Sequence, residues 1–337
     1  MATPLHVPKP IAATDNSPRG PVQLQACLPR PITFVMAGGG AHGAVQWGLL
    51  QALAETDVAA DALIGTSAGS LTSAIVGEDP LSALSRLSYV WSQLDLDVLV
   101  GDSWVSILSS ATKRRRSLAD NTTERETLEA ILVARSFADL QLPTAAVATD
   151  LATGKAKAFD SGDLITALLA SSAIPGMLPP VTINGREYID GLASANLPAR
   201  LAVERGAGTV IVLDTGSREP VPMSKTPTKV VARVNGILNA RQRSAALAFA
   251  SSRVPTIVLP TPQNLGAALD FRGTMSAASS AYELARTFLS DFAGQYGPKA
   301  ARADHDLERG LYARRTPYDL DPDLRLQLHS VDAGDHS

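Results

Sequence analysis

Ala62-Leu63-Ile64-Gly65-Thr66-Ser67-Ala68-Gly69-Ser70-Leu71-Thr72-Ser73-Ala74-Ile75-Val76 sets a short apolar run, a turn of small residues and a helical pattern in direct succession. It holds the only G-x-S-x-G in the chain. By average glycine and serine usage, such a string arises by chance in roughly one sequence in ten of this length. Its context carries more than the string does. Strand, tight turn and helix together form a nucleophile elbow, which lifts a serine hydroxyl above a sheet. The turn demands small neighbours, and Gly65, Ala68 and Gly69 supply them. The hydroxyl then lies at a helix N-terminus, where the dipole favours developing negative charge. A plain glycine-serine turn opening a helix would carry the same letters, so Ser67 is a candidate that needs partners.

Upstream, the strand pattern Ile32–Met36 runs into Gly38-Gly39-Gly40-Ala41-His42-Gly43. Consecutive glycines let backbone N–H groups converge on one anion. That anion is either the oxyanion of a tetrahedral intermediate or a pyrophosphate, because Gly38-x-Gly40-x-x-Gly43 also fits the dinucleotide fingerprint. A dinucleotide fold needs an acidic residue at the carboxyl end of the second strand to hold the ribose. Here Asp57 and Asp61 precede that strand, and its carboxyl end leads into Ser67. The oxyanion reading therefore prevails.

A nucleophilic serine needs a base. The five histidines are His6, His42, His305, His329 and His336, and none lies between His42 and His305. A triad would have to recruit His305 from the charged tail or His42 from the glycine loop. The other simple option is a carboxylate acting alone, and Asp190 in Tyr188-Ile189-Asp190-Gly191-Leu192 is the best placed. In isolation that step reads as an ordinary Asp-Gly turn.

The rest of the chain frames these elements. Further strands are expected at Ala62–Ile64, Ala145–Ala148, Thr209–Leu213 and Thr256–Leu259. Helices are expected at Ala44–Glu55, Ala68–Val76, Thr123–Arg135, Leu164–Ser172 and Ala277–Phe292, with Thr123 and Glu126 as a capping box. Such alternation implies a largely parallel sheet covered on both faces. Residues 1–30 read as a proline-rich leader, 31–298 as one domain with a helical lid-like insertion over 82–120, and 299–337 as a charged tail. The formal net charge of −3 gives no global argument for nucleic-acid binding. A single cysteine, Cys27, forms no intrachain disulfide and fits a reducing compartment. The longest runs free of Asp, Glu, Lys and Arg, Pro31–Ala54 and Leu164–Gly185, are broken by glycines or prolines and do not read as membrane spans. No secretory signal pattern opens the chain. A soluble, cytoplasmic protein is the expectation, with contact at a membrane surface left open.

Taken together, the glycine loop, the elbow and the Asp-Gly step resemble the patatin-like phospholipase family. Val147–Gly154 resembles that family's strand and turn after the lid, and Ala170–Gly176 with Pro179-Pro180 resembles its alanine-serine-proline segment. The resemblance spans roughly residues 31–295. It implies a three-layer α/β/α patatin-like fold with a mainly parallel central sheet. It also implies a Ser-Asp dyad of Ser67 and Asp190, with Gly65 and Gly69 shaping the elbow. The amides of Gly38, Gly39, Gly40 and Ala41 are expected to form the oxyanion hole. The activity implied is hydrolysis of a fatty-acyl ester of a phospholipid or related lipid, with no metal and no cofactor. Two positions depart from the family pattern. His42 replaces the usual Arg or Lys and would be an accessory charge conditional on pH. Leu192 replaces the usual Gly or Ala, and its bulk would narrow the site beside Asp190.

Lys113-Arg114-Arg115-Arg116 reads as a solvated face or as an attraction for anionic headgroups. Trp91 and Trp104 read as lid core or as cover for an acyl pocket. Ser171, Ser172 and Pro175 read as a helix end or as channel walls. A triad esterase using His305 and a non-catalytic lipid-binding protein on the same scaffold remain as alternatives. Chain length, headgroup, acyl acceptor and oligomeric state are not legible.

Overall fold

In a computed structural model, the described residues are 28–56, 58–93, 121–216, 227–263, 265–266, 268 and 270–300. Strand β1 (Ile32–Met36) leads through a 3-10 turn (Gly40–Gly43) into helix α1 (Ala44–Glu55). β2 (Ala62–Thr66), α2 (Ala68–Glu78), α3 (Ala83–Gln93) and α4 (Thr122–Ile131) follow. Next come β3 (Thr144–Asp150), β4 (Ala156–Phe159), α5 (Leu164–Ser172), β5 (Val181–Ile183) and β6 (Arg186–Asp190). Short helices α6 (Leu192–Ala195) and α7 (Ala199–Glu204) precede β7 (Thr209–Leu213), α8 (Pro227–Ser251), β8 (Thr256–Val258) and α9 (Thr274–Ala300).

Eight strands form one sheet in the order β5-β6-β3-β2-β1-β7-β8, with β4 paired to the other edge of β3, opposite β2 and β6. β3, β2, β1, β7 and β8 run parallel. β4 and β6 each pair antiparallel to β3.

Period-two alternation decides the layers. Ile32, Phe34 and Met36 of β1 join a core under α1, α2, α5 and α9. Val35 points the other way, with Ile64, Val147, Val210 and Val212, into a second core under α7 and the end of α8. Burial on both faces explains why β1 and β7 are continuous apolar runs. The result is an α/β fold with a mostly parallel central sheet between helical layers.

The expected strands and helices are present, with β2 reaching Thr66, α2 reaching Glu78 and α9 running from Thr274 to Ala300, but α4 ends at Ile131, four residues short of the expected Arg135, and β8 at Val258, one short of Leu259. The capping box is not formed. Helix α4 begins at Thr122, with Asn121 at the cap and no side-chain capping bond. The expected 82–120 insertion begins with α3, and residues 94–120 lie outside the described residues. So do Cys27, Trp104, Lys113 to Arg116 and His305. Among the described residues, no helix is long and apolar enough to cross a membrane.

Candidate active site

Gly38 to Gly40 follow the carboxyl end of β1, and Ser67 follows that of β2, as expected for ligand sites of parallel sheets. Thr66 is in register with Val147 of β3, and Ala148 of β3 is in register with Asp190 of β6. Residues 146–149 of β3 pair with β4 along the other edge, so β2 and β6 share one edge of β3 and Ser67, at the end of β2, stands beside Asp190.

Ser67 adopts φ 54° and ψ −126°, a conformation L-residues rarely hold. The surroundings enforce it. A Cβ at Gly65 would meet the Gly69 carbonyl oxygen at 2.1 Å, and one at Gly69 would meet the Met36 oxygen at 2.4 Å. Glycine is the residue that lets strand and helix approach this closely. The Ser67 amide donates to Ser171 Oγ at 2.9 Å, and Ser171 Oγ donates to the Val147 carbonyl at 2.7 Å. The elbow is thus pinned to α5 and β3 through one buried hydroxyl. Ser171→Ala is expected to leave the Ser67 amide unsatisfied, at a cost of about 1–3 kcal/mol. Thermal unfolding of the variant checks this, and an unchanged Tm would contradict it.

Asp190 is fully buried, at 0% exposure. Its backbone is held on both sides, because the amide donates to the Ala173 carbonyl and Thr149 Oγ donates to the Asp190 carbonyl. Oδ1 accepts from the Leu192 amide at 2.8 Å, and Oδ2 has no hydrogen-bond partner of normal geometry. Burial pushes the carboxyl up to about 7, against the smaller pull of the Leu192 amide and the Ser67 hydroxyl towards the charged form.

The glycine loop is tied down rather than free. Gln46 Nε2 donates to the carbonyls of Ala37 and Leu213, and Thr215 Oγ donates to Gly38. The Gly38 amide donates to the Asn196 carbonyl and the Ala41 amide to that of Ala268. Two of the four expected oxyanion donors are therefore committed elsewhere. The Gly39 and Gly40 amides have no partner among the described residues. Gly40 sits at φ +56°, and a Cβ there would meet the Ala268 oxygen at 2.3 Å.

Two neighbouring side chains mark the departures from the family pattern. His42 is buried, and burial lowers its pKa more strongly than the nearby Leu265 and Gly266 backbone raises it. It is neutral at pH 7 and supplies no positive charge behind the loop. Leu192 is half-buried and absent from the lining of the pocket at Ser67. Its backbone amide, not its bulk, bears on Asp190.

That pocket has a cavity volume of about 90 Å³. Ser67, Ala68, Leu71, Trp91, Leu128, Ile131, Leu168, Met177, Leu178 and Phe271 line it, so it is mainly apolar. Ser172 and Ile174 line it too, whereas Pro175 does not. One acid also faces it: Glu124, 5% exposed. Its Oε1 accepts from Ser172 Oγ, and its Oε2 has no partner. Burial, with Asp190 nearby, pushes Glu124 up to about 7 despite the Ser172 bond.

Glu124, the Ala68 amide and the bond by which Ser171, read only as a helix end or channel wall, holds the elbow are the site features the sequence reading missed. For Glu124 a signal existed, since it shares the i, i+4, i+7 stripe of α4 with Leu128 and Ile131. Ala68 opens α2, so its amide is free by the geometry of helix starts. Ser171 has no local signal, because its partner is 104 residues away. Among the described residues, no cluster of three His, Cys, Asp or Glu could hold a metal ion.

The sequence model of one family, described as patatin-like phospholipase, matches residues 34–203, half of the chain. Patatin-like phospholipase domain-containing protein 7 of Rattus norvegicus is 31% identical over 196 residues, covering 57% of this chain and 14% of that protein. Lysophospholipase NTE1 of Cryptococcus neoformans is 30% identical over 191 residues, covering 55% of this chain and 11% of that protein. The chain therefore matches only a minor part of the length of these relatives. Among solved structures, VipD from Legionella pneumophila aligns over 78% of this chain and 67% of its own, with TM-score 0.47 and 13% identity.

Proposed function

The chain belongs to the patatin-like phospholipase family, and on that footing we propose that it hydrolyses fatty-acyl esters of phospholipids or related lipids. One arrangement carries the proposal. A serine held at φ 54° on a strand-to-helix elbow is level with a fully buried carboxyl and opens on an apolar pocket.

In the proposed reaction the acyl chain enters the pocket and the ester carbonyl lies over Ser67. Asp190 takes the Ser67 proton as Oγ attacks the carbonyl carbon. The carbonyl oxygen becomes an oxyanion, stabilised by the free amides of Gly39, Gly40 and Ala68; one such donor is typically worth 10²–10³ in rate. The tetrahedral intermediate then expels the alcohol, which receives the proton from Asp190. Water attacks the acyl-Ser67 ester, gives its proton to Asp190, and releases the fatty acid as Ser67 recovers its hydrogen. Each step uses one base whose affinity for protons is near the operating pH, the optimum for proton transfer. His42, buried and neutral, has no step assigned to it. The domain limits of 31–298 are proposed to enclose this machinery without the leader or tail.

A base must be unprotonated to act, so activity rises as pH passes upward through the Asp190 value. The expected profile of kcat/KM on a soluble short-chain ester is a tenfold fall per pH unit below about 7, with a plateau above it. A profile flat from pH 5 to 8 would remove Asp190 from the role. A triad using His305 makes a different forecast, since deleting residues 301–337 would then abolish hydrolysis.

A further inference from the structure

Helix α8 is packed over only part of its length. Leu247 and Ala250, near its end, are buried against the sheet. At its middle, Gln242 Nε2 donates to the Ala193 carbonyl and Arg243 pairs with Asp214. Before that anchor the helix carries Val230, Val234, Ile237 and Leu238, which are 51%, 48%, 47% and 51% exposed. Their spacing of i, i+4, i+7 and i+8 puts them on one face. An exposed apolar face of this kind on a protein surface marks a contact surface.

Charge and position identify what covers it. From residue 220 to residue 269 the chain has no Asp or Glu; beside the exposed face, α8 carries Arg233 and Arg241, whereas Arg243 is paired with Asp214 and Arg253 lies past the far end of the helix over Phe249. β7 and β8 are parallel, so the chain leaves β7 at its carboxyl end and returns to the amino end of β8. The first half of α8 therefore lies on the carboxyl side of the sheet, the side that carries Ser67. Gln242 anchors it three residues beyond Asp190, at Ala193. At 1.5 Å per residue, the 25-residue helix is about 37 Å long, roughly twice the length of a five-residue strand.

We propose that the first half of α8, through Val230, Val234, Ile237 and Leu238 with Arg233 and Arg241, docks the protein on an anionic lipid surface at the end of the sheet that carries Ser67. An apolar face beside cations is the pattern of helices that lie in the membrane interface, and anionic headgroups attract the cations. The inference deepens the lipid-hydrolase reading by naming the surface on which that site would meet substrate. Docking itself is measured without turnover.

The test compares the full chain with the double variant Ile237→Glu, Leu238→Glu, whose exposed positions leave the packed half of α8 untouched. Flotation with vesicles of phosphatidylcholine and phosphatidylglycerol is run at 0.1 M and 0.5 M salt. Wild type is expected to float with anionic vesicles and less so at high salt, and the variant to bind at least tenfold more weakly. Hydrolysis of a soluble short-chain ester is expected to stay within twofold of wild type, while turnover of vesicle lipid falls at least tenfold. Equal vesicle binding by both proteins overturns the proposal. So does a variant that loses self-association in solution while binding vesicles as wild type does, because the face would then join two copies. If wild type docks through α8 but hydrolyses no ester, docking stands and the hydrolase reading falls.

Discussion

Ser67→Ala is expected to lower kcat for ester hydrolysis by about 10⁵–10⁶, the scale on which loss of a catalytic serine falls in hydrolases. Alanine keeps the Cβ, so the elbow geometry and the bond from the residue 67 amide to Ser171 persist. Substrate affinity and Tm should therefore be close to wild type. The change removes only the oxygen that would form the acyl bond, so the loss falls on kcat and not on KM. Steady-state kinetics with circular dichroism as a fold check decides it. A folded variant retaining a tenth of the activity would take Ser67 out of the mechanism.

Asp190→Asn carries two effects of opposite sign. Asparagine cannot take the serine proton, so kcat is expected to drop by about 10³–10⁴. The fold, by contrast, should gain stability. In the unfolded chain this carboxyl titrates near 3.8, and in the folded protein burial raises it to about 7. Below the lower value both states are protonated and the group costs nothing. Between the two values the folded state must keep a proton that the unfolded state has lost, so stability falls as pH rises. Above about 7 the full penalty of the buried ion applies, on the order of 4 kcal/mol at most. The asparagine variant escapes it while its Oδ1 still accepts from the Leu192 amide. Thermal scans at pH 8 should show the variant more stable by up to about 6 °C, at roughly 1.4 °C per kcal/mol for a chain of 337 residues. At pH 5 the gain should shrink. Equal or lower stability at pH 8 would mean that Asp190 is not held against its ionisation. Glu124, also raised to about 7, adds a penalty of the same sign, so the wild type should lose stability as pH rises from about 4 to about 7 and change little above that.

Activity and stability thus conflict at one residue. In the proposed mechanism, the ion whose burial costs folding energy is also the base, with a proton affinity near neutral pH. Ser67 repeats the pattern in the backbone, since its positive φ is held only because Gly65 and Gly69 allow strand and helix to touch.

The parallel half of the sheet was legible because its signals are local. Ile32–Met36, Ala44–Glu55 and Thr209–Leu213 begin and end where their apolar patterns do. The antiparallel edge was not. Arg186-Glu187-Tyr188-Ile189-Asp190 mixes charges with apolar residues because one end is exposed and the other is fully buried. β4 is half-buried and β5 has three residues, too short for a period to show. α8 escaped for a related reason, since its free half presents apolar residues to solvent and breaks the inside-outside rule. At the site, the glycine loop, Ser67 and Asp190 stood out as motifs. Which loop amides are free did not, because Asn196 and Ala268 claim two of them from far along the chain.

Labelling with a fluorophosphonate, which reacts only with activated serines, probes the pairing of Ser67 with Asp190 most directly. The adduct is to be mapped by peptide mass spectrometry across pH 5 to 9. The expected result is modification of Ser67 alone, rising through about pH 7, absent in Ser67→Ala and at least a hundredfold slower in Asp190→Asn. A folded wild-type protein that takes up no label at Ser67, or labels equally fast without Asp190, would contradict the dyad.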